Sequence, residues 1–166
     1  YVEATGAQPY NTDSLKNDCD NHKHNHPVRW VNWDEATRYC AWLTETLRQW
    51  TETPAALTEK LHEGWQIMLP SEAEWERVVG GPSVNSGAGR LYPWGNEDIE
   101  PNRANYRFTG IFDTSPVGCF PAGATPEGVE ELSGNVWEWT RSLYWDSGKQ
   151  ECRERKPFKV NEQNRM

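Results

Sequence analysis

A short segment near the end of the chain, Glu131–Glu138, carries a carboxylate at each end. Calcium binds about six to eight hard oxygens, and two carboxylates plus main-chain carbonyls from one bent segment can supply most of them. The alternative is that Glu138 pairs with an arginine inside an aromatic strand. The segment is therefore a candidate calcium site, with an internal ion pair as the competing interpretation.

The four cysteines are far apart in the sequence, at Cys19, Cys40, Cys119 and Cys152. A thiolate acts in covalent or redox catalysis when a nearby base, cation or metal lowers its pKa or when it binds copper. None of the spacings is typical of a zinc knuckle or a redox dithiol. We expect all four to be reduced or structural and no catalysis by this chain, while a pairing in space, for example of Cys40 with Cys119, stays open.

Three histidines alternate in the N-terminal region, at His22, His24 and His26, with Cys19 nearby. In an extended segment they would share one face, and zinc favours such ligands in a tetrahedral array. Chance clusters of this kind are common in polar loops, so a solvated loop is the preferred interpretation. His62 lies near a predicted helix end, where a positive charge suits the dipole, and is expected at the surface.

The composition limits the class of partner. A chain of 166 residues is the size of one domain, and its formal net charge of -8 argues against binding to phosphate backbones. No window approaches the roughly 20 apolar residues of a membrane span, and no leader opens the chain. We therefore expect no nucleic-acid partner, no membrane contact and a cytoplasmic location.

Aromatic residues are expected to supply the core. Hydrophobic residues make up only 36% of the chain, but they include ten Trp, six Tyr and four Phe. Each large ring buries on the order of 150–250 Å². Core packing is preferred over a carbohydrate-binding platform for Trp30, Trp33, Trp42, Trp75, Trp94, Trp137 and Trp139.

The longest predicted helix begins at a capping box, in which Asn32 and Glu35 exchange hydrogen bonds with each other's backbone amides. Apolar residues then recur at helical spacing and predict one buried face. This stripe consists of Ala36, Tyr39, Cys40, Leu43, Leu47 and Trp50.

Two shorter helices follow. Thr53-Pro54 predicts the start of one helix, and Gly64 is placed to end it. A second capping box, Ser71 with Glu74, predicts another helix that buries Ala73, Trp75, Val78 and Val79 and stops at Gly80-Gly81.

Beyond residue 80 the sequence is rich in Gly, Pro, Asn and isolated aromatics, which indicates loops. Two stretches, 115–120 and 135–143, have the β-branched and aromatic content of strands. On the second, Trp137 and Trp139 would share one face opposite Glu138. Residues 149–166 are charged and are expected to be poorly ordered.

Four motifs in this order resemble the formylglycine-generating-enzyme or sulfatase-modifying-factor family. They are HPVRWVNWDEATRYCAWL (26–43), LPSEAEWERVVGG (69–81), YPWGNE (92–97) with NRANY (102–106), and TSPVGCFPAGATPEGVEELSGNVWEWTRSLYW (114–145). The resemblance implies an α+β, C-type-lectin-like fold with little regular secondary structure and long ordered loops. Residues 1–166 would form a single, incomplete domain of this kind.

The resemblance also implies cation ligands. In the first site Glu131 and Glu138 would give side-chain oxygens, and Gly134 and Val136 would give carbonyl oxygens, although the family more often has Asn or Asp at position 131. A second site would use Asn105 with the carbonyls of Tyr106 and Ile111. Thr109 stands there where a carboxylate is expected, which leaves little charge for calcium.

The family's copper-binding cysteine pair and its closing Arg- and Gly-rich segments do not occur in this sequence. By resemblance both ends of the domain are expected to be truncated, since Tyr1–Gly6 resembles the end of an opening helix. Copper is therefore expected only if a missing C-terminal segment carries the cysteine pair.

Two functions follow from the resemblance. The first is a non-catalytic, calcium-stabilised module that binds a protein or other ligand through surface loops, within a parent polypeptide that has additional domains. Segments 47–65 and 129–145 are similar to bacterial variable proteins that display a ligand-binding surface diversified by retroelements. The alternative is a truncated oxidase that converts a substrate cysteine to formylglycine with copper and oxygen. A third possibility, an iron-dependent sulfoxide synthase, would need a separate helical domain.

Overall fold

The computed structural model describes residues 2–5, 23–82, 87, 89–146 and 151–153. Four helices lie in these ranges: α1 at Val2–Thr5, α2 at Trp33–Gln49, α3 at Ala55–His62 and α4 at Glu72–Gly80. Two strands, β1 at Tyr144–Asp146 and β2 at Glu151–Arg153, pair antiparallel with Trp145 opposite Cys152. Helix α1 coincides with the predicted end of an opening helix.

Helix α2 begins at the predicted capping box. The Asn32 side chain accepts from the Glu35 amide at 2.9 Å, and the Glu35 carboxylate accepts from the Asn32 amide at 2.7 Å. The predicted apolar stripe is wrong at Tyr39 and Trp50, which are 43% and 55% exposed. The most buried residue of the helix is instead Thr44, at 2% exposure.

The burial of Thr44 has a local cause. Its hydroxyl donates to the Cys40 carbonyl and accepts from the Ile67 amide, both at 2.9 Å. A hydroxyl that pairs with two backbone groups can be buried without losing hydrogen bonds. Thr44 therefore holds the segment that follows α3 against α2, through its hydrogen bond to the Ile67 amide.

Helix α3 packs against α2, as two helices joined by a short turn do. The Thr53 hydroxyl donates to the Leu47 carbonyl at 2.7 Å, and the Arg48 guanidinium donates to the Leu61 carbonyl at 3.2 Å. Leu61, in the last turn of α3, is 1% exposed. The helix ends before Gly64, whose φ of 95° is the positive value expected of a terminating glycine.

Helix α4 also begins at its predicted capping box and ends at Gly80. The Arg90 guanidinium donates to the carbonyls of Val78 and Val79 at 2.9 and 3.1 Å and so caps the helix end. Ala73 and Val78 are exposed, so their predicted burial is wrong. Trp75 and Val79 are half-buried.

Loops fill the described residues from 89 to 143, with 3₁₀ turns at Arg107–Thr109 and Pro121–Gly123. Both strands predicted in this range are wrong. The Ser115 amide and carbonyl bond to one side chain, that of Asn135, and the Thr140 carbonyl accepts from the Trp33 indole. Because side chains occupy these backbone groups, no strand ladder forms there. The α+β class stays a prediction.

The aromatic core is smaller than predicted. Trp30 and Trp137 are 55% and 45% exposed, so their predicted burial is wrong. The half-buried indoles are Trp33, Trp42, Trp75, Trp94 and Trp139. The largest fully buried side chains in the described ranges are Leu61 and Pro93. Across these same ranges, no helix is both long and apolar enough to cross a bilayer.

Candidate metal centre

A buried polar network joins three loops behind the candidate site. The Asn135 amide donates to the Asn105 carbonyl at 2.9 Å, and the Ser115 amide donates to Asn135 Oδ1 at 2.9 Å. Asn105 Nδ2 donates to Ser115 Oγ at 3.1 Å and to the Asp113 carbonyl at 2.8 Å. Asn105 and Ser115 are 8% and 2% exposed. The network brings together the two segments in which cation ligands are predicted.

Glu131 is held in place by two donors. Its Oε1 accepts from the Gly118 amide at 3.1 Å, and its Oε2 accepts from Asn135 Nδ2 at 3.2 Å. The backbone of Glu131 has a φ of 60°, a left-handed value that is uncommon for a residue other than glycine. The loop therefore fixes this carboxylate from both sides.

Glu138 accepts a hydrogen bond from the Trp75 indole, with 2.7 Å between Nε1 and Oε2. Surrounding protein atoms raise the pKa of the Glu138 carboxyl by desolvation, and the negative charge of Glu131 raises it further. The Trp75 hydrogen bond acts in the opposite direction. Arg141 pairs with Glu74 rather than with Glu138, at 2.6 Å. The charge of Glu131 thus acts on Glu138, and a divalent cation bound by both carboxylates would relieve that repulsion.

Gly134 and Val136 lie between the two glutamates. The Val136 amide donates to the Gly134 carbonyl at 2.8 Å, and Gly134 has a φ of 79°. Among the described residues, no three or more His, Cys, Asp or Glu side chains are arranged so that they could hold a metal ion. A cation here would therefore depend on carbonyl oxygens as well as the two carboxylates. Oxygen atoms of this kind are the donors that calcium prefers, and the ligand assignment itself stays a prediction.

In the second predicted site, the Asn105 side chain and the Tyr106 carbonyl already have hydrogen-bond partners. The Tyr106 carbonyl accepts from the Thr109 amide at 3.0 Å. The Thr109 hydroxyl accepts from the Tyr106 amide at 3.2 Å and donates to the Ala104 carbonyl at 2.7 Å. Ile111 is 41% exposed. Thr109 therefore closes a turn here, and the ligand set of Asn105, Tyr106 and Ile111 stays a prediction.

None of the described cysteines and histidines is among the predicted cation ligands. Cys40 and Cys119 are free thiols, and burial raises the pKa of Cys40. His26 Nδ1 lies 2.9 Å from the Thr114 hydroxyl, while His24 is exposed in a turn. The exposed His62 occupies the last turn of α3, as predicted. Three positions of these predictions, Cys19, His22 and the side chain of Cys152, lie outside the described residues.

Comparison with known proteins identifies the family. A family model described as "Sulfatase-modifying factor enzyme 1-like domain" matches residues 1–163. The chain belongs to this family. The resemblance found in the four motifs is confirmed, and membership of the sulfatase-modifying factor family fits the C-type-lectin-like fold.

Similar members of the sulfatase-modifying factor family have different names. The chain is 33% identical to mouse formylglycine-generating enzyme over 75% of this chain and 29% of that protein. It is 34% identical to mouse inactive C-alpha-formylglycine-generating enzyme 2, over 74% of this chain and 34% of that protein. It is also 34% identical to hercynine oxygenase of Mycobacterium tuberculosis, over 70% of this chain and 22% of that protein. The chain thus spans about a third or less of the length of these relatives.

Sequence reasoning missed two side chains that build the centre. The sequence predicts a strand at Asn135, yet this residue has a φ of 62° and bonds to Ser115 and Glu131. The Gly134-Asn135 dipeptide is a turn signal that favours left-handed backbone and could have indicated this. For Trp75 the sequence predicts a place in the core, and no local signal links it to Glu138, because 63 positions separate them.

Proposed function

We propose that this chain is a binding module of the sulfatase-modifying factor family, in which calcium held between Glu131 and Glu138 stabilises the loops that present the ligand-binding surface. Its partner is a protein or another ligand that contacts these loops. This is the display function suggested by the similarity of segments 47–65 and 129–145 to bacterial variable proteins.

The observation that carries the proposal is a contrast between fixed backbone and exposed side chains. The loops joined by Asn105, Ser115 and Asn135 present Phe108, Phe112 and Val117, which are 65%, 89% and 51% exposed. The backbone of Phe112 has a φ of 57°, a strained left-handed conformation for a residue with a bulky side chain. Exposed apolar side chains on a fixed frame favour a recognition surface.

The two described free thiols support binding over oxidation. A copper-dependent oxidation of cysteine needs thiolate ligands, and the raised pKa of Cys40 disfavours its thiolate. Cys119 is exposed in the turn that follows Pro116. The oxidase stays the alternative function, since the relatives include one named formylglycine-generating enzyme and one named inactive.

An aldehyde-trapping assay separates the two functions. The full-length protein would be incubated with copper, oxygen and a peptide that contains a sulfatase cysteine, and the product would be trapped with a hydrazide probe. Mouse formylglycine-generating enzyme serves as the positive control and its inactive relative as the background. We expect no aldehyde above background, and formation of the hydrazone would reject the binding-module proposal.

The binding surface has its own test. A random peptide library would be selected on immobilised protein, and the peptides recovered would be measured against F112A and F108A variants. Binding should fall in these variants and persist in E59A, a change on the exposed side of α3. If the recovered peptides bind the F112A and F108A variants as tightly as the wild type, these loops are not the recognition surface.

A further inference from the structure

The hydrogen bond between Trp75 and Glu138 joins helix α4 to the candidate calcium centre. We propose that Trp75 is a positioning residue for this centre: its indole N–H holds Oε2 of Glu138 and thereby orients the carboxylate for the cation. This inference rests on the proposed calcium site and assigns a role to a side chain outside its predicted ligand set.

Helix α4 cannot easily move away from this contact. The Arg141 amide donates to the Pro70 carbonyl at 2.8 Å, and the Glu72 amide donates to Ser142 Oγ at 2.9 Å. Arg141 also pairs with Glu74. These bonds fasten the first turn of α4 to residues 141–142, so Trp75 is held beside Glu138 by the same stretch of chain that carries the glutamate.

A neutral donor suits a metal ligand better than a charged one. An arginine or lysine at this position would neutralise the Glu138 carboxylate and compete with a cation for it. The indole N–H donates one hydrogen bond and carries no net charge, so it orients the group and leaves its negative charge in place. In the described part of the chain the hydrogen bonding of Glu138 involves Oε2, which leaves Oε1 for a cation.

Outer hydrogen bonds of this kind have a measurable effect. Loss of a group that orients a metal ligand typically lowers metal affinity by about 10–100-fold. Trp75→Phe removes the N–H group and keeps a large aromatic ring in the half-buried position. Trp33→Phe is the matched control, because the Trp33 indole donates at 3.0 Å to the backbone carbonyl of Thr140 and not to a predicted ligand.

The test is a calcium titration of the full chain by calorimetry, with calcium alone as the probe. We expect W75F to bind calcium about tenfold or more weakly than the wild type, in line with the loss of an orienting hydrogen bond, and W33F to bind like the wild type. Circular dichroism would confirm that both variants keep their helices.

A second measurement uses the unmodified protein. The indole ¹H–¹⁵N resonance of Trp75 should shift on calcium addition, and that of Trp33 should shift far less. A merely structural tryptophan would not give this difference, and the measurement holds even if W75F fails to fold.

The outcomes distinguish the inference from the function on which it rests. If the wild type binds no calcium, the calcium part of the proposed function is wrong and the role of Trp75 is overturned with it. If the wild type binds calcium, W75F binds it equally well and the Trp75 indole resonance of the wild type does not move, the site stands and the positioning role is rejected.

Discussion

The α-carbon of Gly134 lies against the carbonyl oxygen of Asn105, so closely that a side chain at position 134 would overlap it. The two residues also form an isolated parallel bridge. This contact joins the loop of the second predicted cation site to the segment between Glu131 and Glu138. A glycine is needed here for its positive φ and for the space that a Cβ would fill.

The first prediction follows from this contact. Gly134→Ala should destabilise the domain, because a left-handed alanine costs about 1–2 kcal/mol and overlap in a packed site costs about 1–3 kcal/mol more. Gly128→Ala is the matched control: Gly128 has a φ of 85°, and nothing lies within 4 Å of the position of its Cβ. Urea unfolding should show a larger loss for G134A, and equal losses would disprove the close approach.

The second prediction concerns the polar network. Asn135→Asp keeps the shape of the side chain but removes the donor to the Ser115 carbonyl and places a negative charge 3.2 Å from Glu131 Oε2. A buried group left without its partner costs about 1–3 kcal/mol, so the free energy of unfolding should fall by that amount.

The control for this change is Asn96→Asp. The Asn96 Oδ1 atom accepts from the Leu91 amide at 2.9 Å, and an aspartate keeps that acceptor. N96D should therefore unfold at nearly the same urea concentration as the wild type. If N135D unfolds there as well, the Asn135 network does not contribute to stability.

The helices could be predicted because their signals are local. The capping boxes at Asn32 and Ser71 need only residues three positions apart, and both helices begin where predicted. The end of α4 at Gly80 likewise follows from the glycine after it, whose φ is 72°. For these elements, residues within one helical turn determine where the backbone hydrogen bonds of the helix begin and end.

The loops could not be predicted in the same way. Residues 115–120 have strand-like composition, but the Ser115 backbone pairs with the side chain of Asn135, 20 positions away. Composition measures the tendency of a segment to be extended, and it does not show which group satisfies its amides. The segment Glu131–Glu138 could be recognised as a candidate site, but its Trp75 contact depends on how α4 docks.

The third prediction is a pH dependence at the start of α4. The Ser71 amide holds the pKa of Glu74 down to about 2 from 4.5, with the Arg141 guanidinium contributing. A lowered carboxyl pKa stabilises the folded state above the unfolded value and loses that contribution as pH falls through the folded value. Glu74→Gln should therefore lower the melting temperature at pH 7, and the gap from the wild type should close between about pH 5 and pH 2.

Glu76→Gln provides the comparison, since Glu76 is an exposed carboxylate on the same helix. It should change the melting temperature little at any pH in this range, as is usual for surface substitutions. A gap between E74Q and the wild type that stays constant from pH 7 to pH 2 would contradict the assigned role of Glu74.

The fourth prediction tests the calcium centre by removal of the ion. A ligand that binds only the folded state stabilises it by about 2.7 kcal/mol at 100 times its Kd, which corresponds to roughly 5–10 °C in melting temperature for a chain of this size. A saturating chelator should lower the melting temperature of the calcium-loaded wild type by this amount.

Glu138→Gln keeps an acceptor for the Trp75 indole but loses the charge, so the melting temperature of this variant should not respond to chelator. Glu130→Gln, next to Glu131 but outside the predicted ligand set, should respond like the wild type. Because the E138Q variant also lacks the repulsion from Glu131, it should melt no lower than the wild type when both are free of calcium. If chelator leaves the melting curve of the wild type unchanged, the protein does not bind a stabilising calcium ion.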